Sequence, residues 1–497
     1  MDNTSLDGSP QNPVRQIESA ESTTLVDAPQ GSSLPQRLVL GVKFATRTIS
    51  TQFSRLSPWI ATSFFDSNAM TIAKRLSYRL LKITGILLTV YLASVILLFI
   101  PFFQTHAVFL NALQVPLFAD FSIPEKYGLA PNRTLNLKIH TSDNESLGAW
   151  FILSDSYYHS LPGTEIPNNN ITQHVRKALA QKPVVLYLHG NGPTRAFAPR
   201  VQQYQTFSTR LDANVLAIDY RGFGDSTGRP SQGGLVMDAT VAFDWLVDHG
   251  KKEEDILVVG HSLGTGVSGQ LGKKLADEGR NCKGIVFLAP FTSIYEVLGS
   301  YRLFGFVPLM KPVSWIPGAT NIEFFKWAIV NPFDTLEAAS NITAPKILIA
   351  HAEDDRVIPH TQSDILFEEF LKPYLRKGNR SYGATPEFDT TQRWNNAHGG
   401  QRPLGAYQYP PSPRILSKLP ATREPTIEYP FSPSRHINTT VIPNFGRVSQ
   451  LEVNGEEGSN RTFVLVKTLA GEHDYVGLQE GLVDIIGTVF GITRGPV

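Results

Sequence analysis

The longest apolar stretch of the chain lies in its N-terminal quarter. From Ile83 to Phe103 it reads ITGILLTVYLASVILLFIPFF, which is 21 residues without a charged side chain. An α-helix rises 1.5 Å per residue, so about 20 residues cross the ~30 Å hydrocarbon core of a bilayer. A cleaved signal peptide would lie within about the first 30 residues, and this run begins too late. The pattern predicts one transmembrane helix over 83–103, with a buried core helix as the alternative.

A different pattern begins after Asn132. Short apolar runs, several nearly continuous in Val, Ile and Leu, alternate with helical stretches such as Leu235–Val247 and Leu263–Ala276. Continuous apolar runs are typical of strands covered on both faces, and their alternation with helices favours βαβ units. The pattern therefore predicts an α/β fold with a mostly parallel sheet. The predicted strands are Gly148–Leu153, Val184–Leu188, Val215–Asp219, Ile256–Gly260, Gly284–Leu288, Lys346–His351 and Phe463–Lys467.

The remaining segments lack these patterns. Residues 1–35 are rich in Ser, Thr, Pro, Gln, Asp and Asn, which predicts a disordered tail. Residues 36–80 mix basic with apolar residues, as in an amphipathic surface helix or a juxtamembrane linker. Residues 373–460 are rich in proline and lack sustained periodicity, which predicts an insertion. We expect a disordered, basic N-terminal region over 1–80, the span, and a globular domain over 130–497 that contains the insertion.

The distribution of basic residues predicts the orientation of the span. Four basic residues lie shortly before the span, and the next one is Lys126. The positive-inside rule then places the N-terminal region in the cytosol and the rest of the chain across the membrane, as in a type II protein. Seven glycosylation sequons follow the span, which agrees with this orientation. The four basic residues are Lys74, Arg75, Arg79 and Lys82, and the sequons begin at Asn132, Asn144, Asn170, Asn341, Asn379, Asn438 and Asn460.

Composition narrows the classes of function. The 497 residues include 45 Lys and Arg against 44 Asp and Glu, so the net charge is +1. This balance excludes the basic surplus that a nucleic-acid-binding protein needs. Hydrophobic residues make up 42%, which is enough for a sizeable core. Cys282 is the single cysteine, which excludes an intrachain disulfide and a cysteine-based zinc site.

The sharpest motif is Gly260-His261-Ser262-Leu263-Gly264. It follows a predicted strand and opens a predicted helix, which is the context of a nucleophile elbow. In so tight a turn, side chains at the two glycine positions would collide with neighbouring backbone. The hydroxyl of Ser262 would be exposed at the carboxyl end of the sheet. Ser262 is therefore the candidate nucleophile.

A serine hydroxyl needs a base, which in turn needs an orienting acid. In this class of site the chain order is Ser, then Asp or Glu, then His. The turn after the strand Lys346–His351 contains Asp354 and Asp355, and the D-x-V-I-P spacing favours Asp355. An Asp that only starts a turn is the alternative interpretation.

Three late histidines compete for the role of base. His473 follows the strand Phe463–Lys467 and precedes the last helical stretch, whereas His398 and His436 lie within the insertion. A catalytic base must be held rigidly, so we favour His473.

The oxyanion formed by nucleophilic attack needs preorganised N–H donors. The residue after the nucleophile, Leu263, supplies the first candidate. The loop after the strand Val184–Leu188 reads His189-Gly190-Asn191-Gly192, and Asn191 is the second candidate donor. His189 precedes the nucleophile, which favours a structural role for it.

Taken together, these residues resemble a known family. The blocks LHGNGPTR, AIDYRGFGDSTG, AFDWLV, GHSLGTGVSG, APFTSIYE, HAEDDRVIP and GEHDY are similar to those of α/β-hydrolases. More narrowly, the chain resembles the membrane-anchored α/β-hydrolase-domain (ABHD) serine hydrolases that act as lysophosphatidylserine and monoacylglycerol lipases. The resemblance covers about residues 130–372 and 460–497, together with the preceding span.

The resemblance implies the same site residues as the motifs. It implies Ser262 as nucleophile, Asp355 as acid and His473 as base, with Asn191 and Leu263 as oxyanion donors. It also implies an endoplasmic reticulum membrane protein with a lumenal catalytic domain and no metal or organic cofactor. The expected partners are a lipid substrate and the bilayer.

The chain departs from the family pattern in two places. The insertion separates the acid from the base by 118 residues, which is long for the family. Gly192-Pro193 stands where the family tends to have Ala-Gly.

Two features bear on the substrate. The aromatic-rich segment 298–333 falls where such hydrolases carry a cap, which predicts either an apolar acyl-chain slot or a cap that packs on its own core. Arg195 and Arg200 follow the oxyanion loop and are interpreted as structurally paired, with an anionic head group as the alternative.

The sequence thus predicts a serine hydrolase that cleaves acyl esters of lysophospholipids or monoacylglycerols through an acyl-enzyme. The alternatives are a protein S-acyl thioesterase and a catalytically idle membrane scaffold. The predicted lumenal topology argues against depalmitoylation, which is cytosolic. The intact order of Ser, Asp and His argues against the scaffold.

Overall fold

The computed structural model describes residues 67–112, 114–161, 170–300, 302–303, 307–308, 328–375, 437–453 and 460–492. The chain divides into two compact units, Met1–Leu92 and Ala93–Val497, and the second contains the sheet. Most of the predicted N-terminal region, most of the cap-like segment and residues 376–436 of the predicted insertion lie outside the described residues.

The first element, α1 (Ser67–Leu97), is a long apolar helix. Over Thr71–Leu97 it is the one helix of the described chain that is long and apolar enough to cross a membrane, and none of that stretch is buried. Its bounds differ from the predicted span because the four basic residues before Ile83 are also helical. The helix stops before Pro101, since a proline disfavours helical conformation in the residue that precedes it. A second helix, α2 (Pro101–Phe109), then begins with this proline in its first turn.

The second unit is built on one ten-stranded sheet in the order β1-β2-β4-β3-β5-β6-β9-β12-β11-β10. Six central strands, from β4 to β12 in this order, are parallel, and antiparallel strands flank them on both sides. The strands are β1 (Thr134–His140), β2 (Ser146–Ile152), β3 (Val184–Leu188), β4 (Asn214–Ile218), β5 (Ile256–His261), β6 (Gly284–Leu288), β7 (Arg302–Leu303), β8 (Val307–Pro308), β9 (Lys346–Ala352), β10 (Asn438–Ile442), β11 (Gly446–Val453) and β12 (Arg461–Thr468). The short β7 and β8 pair with each other. The α/β fold with a mostly parallel sheet is thereby confirmed.

Helices connect the parallel strands and cover the sheet. Every residue of β3, β4, β5 and β6 is buried, which explains their continuous apolar sequences. Two separate clusters of buried apolar side chains are formed by alternate residues of these strands, as expected when both faces are covered. The helices are α3 (Asp155–His159), α4 (Ile171–Gln181), α5 (Ala198–Arg210), α6 (Gln232–Asp248), α7 (Leu263–Asp277), α8 (Ile294–Ser300), α9 (Thr335–Ala339), α10 (Thr361–Leu375) and α11 (Glu480–Phe490).

All seven predicted strands are present, but three more belong to the sheet. The additional strands are β1, β10 and β11, and the last two lie inside the predicted insertion 373–460. They form an antiparallel extension beside β12, joined by a turn in which Asn444 has φ 62°. Four of the five residues of β10 are exposed, so this edge strand lacks the apolar run that identifies buried strands.

Candidate active site

The candidate nucleophile lies in the turn between β5 and α7. Ser262 has φ 51° and ψ −119°, a conformation that is strained for any residue with a side chain. Close packing surrounds this turn. A Cβ atom on Gly260 would lie 2.3 Å from the carbonyl oxygen of Gly264, and one on Gly264 would lie 1.9 Å from the carbonyl oxygen of Leu188. Both motif positions therefore require glycine.

Three of the predicted site residues form one chain of hydrogen bonds. Ser262 Oγ lies 2.8 Å from His473 Nε2, and His473 Nδ1 lies 2.8 Å from Asp355 Oδ2. With its proton on Nδ1, His473 donates to the carboxylate and accepts from the serine hydroxyl. The residues meet because β5, β9 and β12 are parallel and end at the same edge of the sheet.

The two adjacent aspartates of the acid turn have different environments. The Asp355 side chain is fully buried, and its Oδ1 accepts from the backbone N–H groups of Val357 and Ile358. Asp354 instead accepts from the backbone N–H of Glu472. Of the two aspartates, Asp355 is the one whose carboxylate the structure places against His473. The competing histidines His398 and His436 lie outside the described residues.

The two candidate oxyanion donors lie next to the serine. A Cβ atom on Gly190 would be 3.0 Å from Ser262 Cβ, so the loop that contains Asn191 packs directly against the nucleophile. Leu263 is the first residue of α7. Within the described part of the chain, neither the Asn191 nor the Leu263 backbone N–H donates to a protein acceptor. Both donors are thus available, and both residues line the same cavity as Ser262.

Comparison with known proteins places this geometry in a family. The chain is 31% identical over 377 residues to "Lysophosphatidylserine lipase ABHD12" of Rattus norvegicus, covering 74% of this chain and 87% of the relative. The chain belongs to the ABHD12 group of α/β-hydrolases. The same-named protein of Danio rerio is 33% identical over 305 residues, covering 59% of this chain and 73% of the relative. "Protein ABHD12B" of Homo sapiens is 31% identical over 279 residues, covering 54% and 70%.

A family model described as "Alpha/beta hydrolase family" matches residues 185–427 of the chain. Among solved structures, an alpha-beta hydrolase from Vibrio vulnificus is similar with a TM-score of 0.40 at 15% identity, covering 64% of this chain and 92% of that one. The resemblance found in the sequence motifs is confirmed, and this α/β-hydrolase is a carboxylic ester hydrolase.

Two further histidines of this hydrolase surround the hydrogen-bonded chain, and sequence reasoning missed both. His351, at the end of β9, places Nε2 3.1 Å from Asp355 Oδ2 and 3.2 Å from the carbonyl oxygen of Ile358. Because both neighbours are acceptors, Nε2 carries the proton. His261 Nε2 lies 2.9 Å from the carbonyl oxygen of His473 and holds the loop that carries the base. For His351 the available signal was a histidine directly after the apolar run of a buried strand, as in KILIAHA.

The electrostatics of the site suit proton transfer. Burial opposes ionisation of Asp355, but the imidazoles of His473 and His351 outweigh it and hold the pKa of the carboxyl well below its usual range. Burial disfavours a charged His473, yet the Asp355 carboxylate raises the pKa of this imidazole above its usual value. Burial and the nearby His473 lower the pKa of His261 to about 4. Burial also lowers the pKa of His351. His473 is therefore the histidine of this cluster whose protonated form is favoured.

The two arginines after the oxyanion loop have different contacts. Arg195 is fully buried, and its Nη1 lies 2.5 Å from Asp219 Oδ2 and 2.7 Å from Asp225 Oδ1, so it is structurally paired. Arg200 has no ion pair with a carboxylate among the described residues, and its Nη1 lies 3.1 Å from His189 Nδ1. It donates instead to backbone carbonyl oxygens of the oxyanion loop. These belong to Gly190, Asn191, Pro193 and Thr194.

His189 has a structural environment, as expected. It is fully buried, with Nε2 3.2 Å from Asp219 Oδ1. Burial and the neighbouring Arg200 lower the pKa of this imidazole, so it is neutral.

A cavity of about 230 Å³ opens onto the serine. Its wall is mostly apolar, and its polar side chains are those of Asn191, Arg200, His261, Ser262, His473 and Asp474. An apolar cavity with a few convergent polar groups is typical of a small-molecule site. The apolar lining residues are Val108, Pro193, Phe197, Phe291, Ile294, Val297, Val357 and Ile358.

Proposed function

We propose that the chain is a membrane-anchored serine hydrolase that cleaves acyl esters of lysophospholipids or monoacylglycerols. The observation that carries the proposal is the chain of hydrogen bonds from Ser262 through His473 to Asp355 at the wall of an apolar cavity. In this proposal Ser262 is the nucleophile, His473 the general base and acid, and Asp355 the orienting acid.

The reaction proceeds in two displacements. Ser262 Oγ attacks the ester carbonyl carbon while His473 Nε2 takes the hydroxyl proton. The backbone N–H groups of Asn191 and Leu263 donate to the tetrahedral oxyanion. When the intermediate collapses, His473 returns the proton to the leaving alcohol oxygen, and the acyl group stays on Ser262. Water, deprotonated by His473, then attacks the acyl-enzyme carbonyl. As this second intermediate collapses, the bond to Ser262 Oγ breaks, His473 returns the proton to Oγ, and the fatty acid leaves.

The apolar cavity and the relatives support a lipid ester as substrate. The wall formed by side chains such as Phe291, Ile294 and Val297 suits an acyl chain rather than a polar group. Two of the relatives are named lysophosphatidylserine lipases. Arg195 is unsuited to bind a head group because two aspartates already pair with it.

The topology belongs to the same proposal. We propose that the uncharged part of α1, from Ile83 onward, anchors the chain in the endoplasmic reticulum membrane, with residues 1–80 forming the cytosolic region and the hydrolase domain, 130–497, in the lumen. The basic residues in the first half of α1 support this orientation. Six of the seven sequon asparagines after the apolar run lie within the described residues, and each is exposed, as a glycan requires.

Labelling with a fluorophosphonate probe tests the catalytic role of the serine. Membranes that carry the full-length protein should label at the wild-type chain and not at Ser262→Ala. Ser340→Ala is a matched control, because Ser340 is exposed and donates only to the carbonyl of Glu337. A folded wild-type chain that takes no label would overturn the proposal and favour the scaffold.

A substrate panel tests the substrate class. We expect fatty acid release from lysophosphatidylserine or a monoacylglycerol in vesicles, and none from a palmitoylated peptide thioester. Turnover of the thioester alone would replace the lipase proposal with the thioesterase. Every activity in the panel should disappear in Ser262→Ala.

A further inference from the structure

Large apolar side chains are exposed on the segment that follows α1. Leu117 and Phe118 are 72% and 99% exposed, and Phe102 is 61% exposed. Phe118 also has φ 57°, which is uncommon for a bulky residue. Clustered exposure of this kind marks an interaction surface. We name as the apolar platform the residues Ile100, Phe102, Phe103, Leu117 and Phe118.

Both parts of the apolar platform are attached to the oxyanion loop. At the end of α2, the carbonyl oxygen of Phe109 accepts from the Gly192 backbone N–H at 2.8 Å. In the following loop, the carbonyl oxygen of Val115 accepts from the Thr194 backbone N–H at 3.0 Å and from its hydroxyl at 3.1 Å. Val108, the residue of α2 directly before Phe109, lines the cavity. The helix that carries Phe102 and Phe103 thus also contributes Val108 to the wall of the cavity.

The segment leaving α1 is held against the hydrolase unit. Gln104 is buried, and its Nε2 donates to the carbonyl oxygens of Leu98 at 3.1 Å and Ala328 at 3.0 Å. Its Oε1 accepts from the Val330 backbone N–H at 2.6 Å. Only residues 98–100 separate α1 from α2, so the platform begins within about 11 Å of the last residue of α1. These hydrogen bonds tie the first turn of α2 to residues 328–330 of the same unit.

The chemistry of the segment points to lipid as its partner. From Ile83 to Ala119 the sequence contains no Asp, Glu, Lys or Arg, so the uncharged character of α1 continues through the platform. A bilayer that accepts α1 would meet the platform at its interfacial region, where apolar side chains such as Phe and Leu are favourably buried. A surface that binds a protein partner typically has a polar or charged rim around its apolar core. The uncharged sequence of this segment therefore favours lipid over a protein.

We propose that the apolar platform lies in the lipid interface and lets the acyl ester enter the cavity directly from the bilayer, past Val108. This inference rests on the proposed function, because it assumes that the substrate is a membrane lipid. The exposed side chains of Leu117 and Phe118 contact acyl chains, and the hydrogen bonds to Gly192 and Thr194 keep the cavity entrance at the membrane surface.

The position of the platform can be measured with a fluorophore. The single native cysteine, Cys282, is buried, so Phe118→Cys provides one accessible site in the full-length chain. In proteoliposomes, an environment-sensitive label at this site should be quenched by lipids that carry a spin label on the acyl chain. The matched control is Val441→Cys, which replaces an exposed apolar residue on the distant edge strand β10. Equal quenching at both positions, or protection at position 118 from both lipid and aqueous quenchers, would overturn the proposal.

The consequence for catalysis can be separated from the chemistry itself. We expect the double variant Leu117→Asp and Phe118→Asp to lose at least roughly tenfold in hydrolysis of lysophosphatidylserine in vesicles. It should keep wild-type hydrolysis of a water-soluble acetate ester, which also reports that the chain is folded. Val441→Asp should change neither activity.

The two proposals fail in different ways. If wild-type protein hydrolyses neither substrate and takes no fluorophosphonate, the proposed function is wrong. If wild type is active on both substrates and the double variant loses both equally or neither, the proposed function stands and the role of the platform is wrong.

Discussion

At the scale of single residues, one carboxylate oxygen organises the site. Asp355 Oδ2 accepts from the Nδ1–H of His473 and from the Nε2–H of His351. Two donors on one oxygen share its charge, so His351 reduces the negative field that His473 experiences. His351 does not contact the serine, and we therefore treat it as a positioning residue for the base.

Replacement of His351 should move the pH profile. In His351→Phe the Asp355 carboxylate loses one charged hydrogen bond, so it stabilises protonated His473 more strongly and raises the pKa of His473. Since the base acts when neutral, the acidic limb of kcat/KM should move to higher pH, by up to about one unit. His351→Gln retains an N–H donor and should lie closer to wild type. The measurement is the pH–rate profile on a soluble ester.

The other titratable groups near His351 and His473 are unchanged in these variants. They are His261 and Asp474 beside His473, and Lys467 and His360 beside His351. A fall in kcat without movement of the acidic limb would show that His351 only supports packing.

At the scale of elements, the oxyanion loop depends on a residue of the following helix. Arg200, in the first turn of α5, donates to carbonyl oxygens on the loop after β3. With these carbonyls held by the guanidinium, the Asn191 peptide is kept in one orientation beside the serine. The planar, five-donor guanidinium suits this role, whereas an ammonium group is a single point of charge.

Loss of this arginine should impair the transition state more than substrate binding. We expect Arg200→Met to lower kcat by roughly 10²-fold with little change in KM, because a misplaced oxyanion donor costs about that much. Arg200→Lys should recover only part of the loss. Steady-state kinetics on a soluble ester provide the measurement, and Arg176→Met is the control, since Arg176 is exposed and donates only to the carbonyl of Asp248. An increase in KM at constant kcat would instead indicate a substrate-binding role.

Hydrophobic patterns in the sequence predicted the central strands of the sheet but not its edge strand β10. The central strands were predictable because burial on both faces requires continuous apolar sequence, as in VVLYL of β3. The edge strand β10 was not, because its sequence NTTVI is mostly exposed and pairs only with β11. Its place in the sheet depends on pairing with residues that follow it, not on its own composition.

At the scale of the whole molecule, the proposed topology determines which asparagines can be glycosylated. The sequons at Asn132, Asn144 and Asn341 lie on exposed positions of the second unit. Asn3-Thr-Ser, by contrast, precedes α1 and would be cytosolic. A single membrane crossing at α1 would therefore place Asn3 on one side of the membrane and the sequons after α1 on the other.

Enzymatic removal of N-glycans should therefore increase the mobility of the wild-type chain on a gel. Asn144→Gln, or another single replacement after α1, should remove part of the shift, while Asn3→Gln should leave it unchanged. The physical reason is that only the translocated side of the membrane meets the glycosylation machinery. Absence of a shift in wild type, or its loss on replacement of Asn3, would contradict the type II orientation.

The sequence by itself determined the features that are local in the chain. The apolar composition of α1, the apolar runs of the central strands and the need for glycine at Gly260, whose Cβ would meet the carbonyl oxygen of Gly264, each follow from a few neighbouring residues. The chain order of Ser262, Asp355 and His473 was also predictable from the sequence. Each follows a predicted strand, and the carboxyl ends of parallel strands lie at the same edge of the sheet.

Only the tertiary structure decided the features that depend on residues far apart in sequence. The contact of His351 with Asp355, the hold of Arg200 on the oxyanion loop and the attachment of the platform through Gln104 all join separate elements. A histidine, arginine or glutamine carries no local signal for such a role, because the free energy of a buried hydrogen bond depends on which partner the fold brings to it.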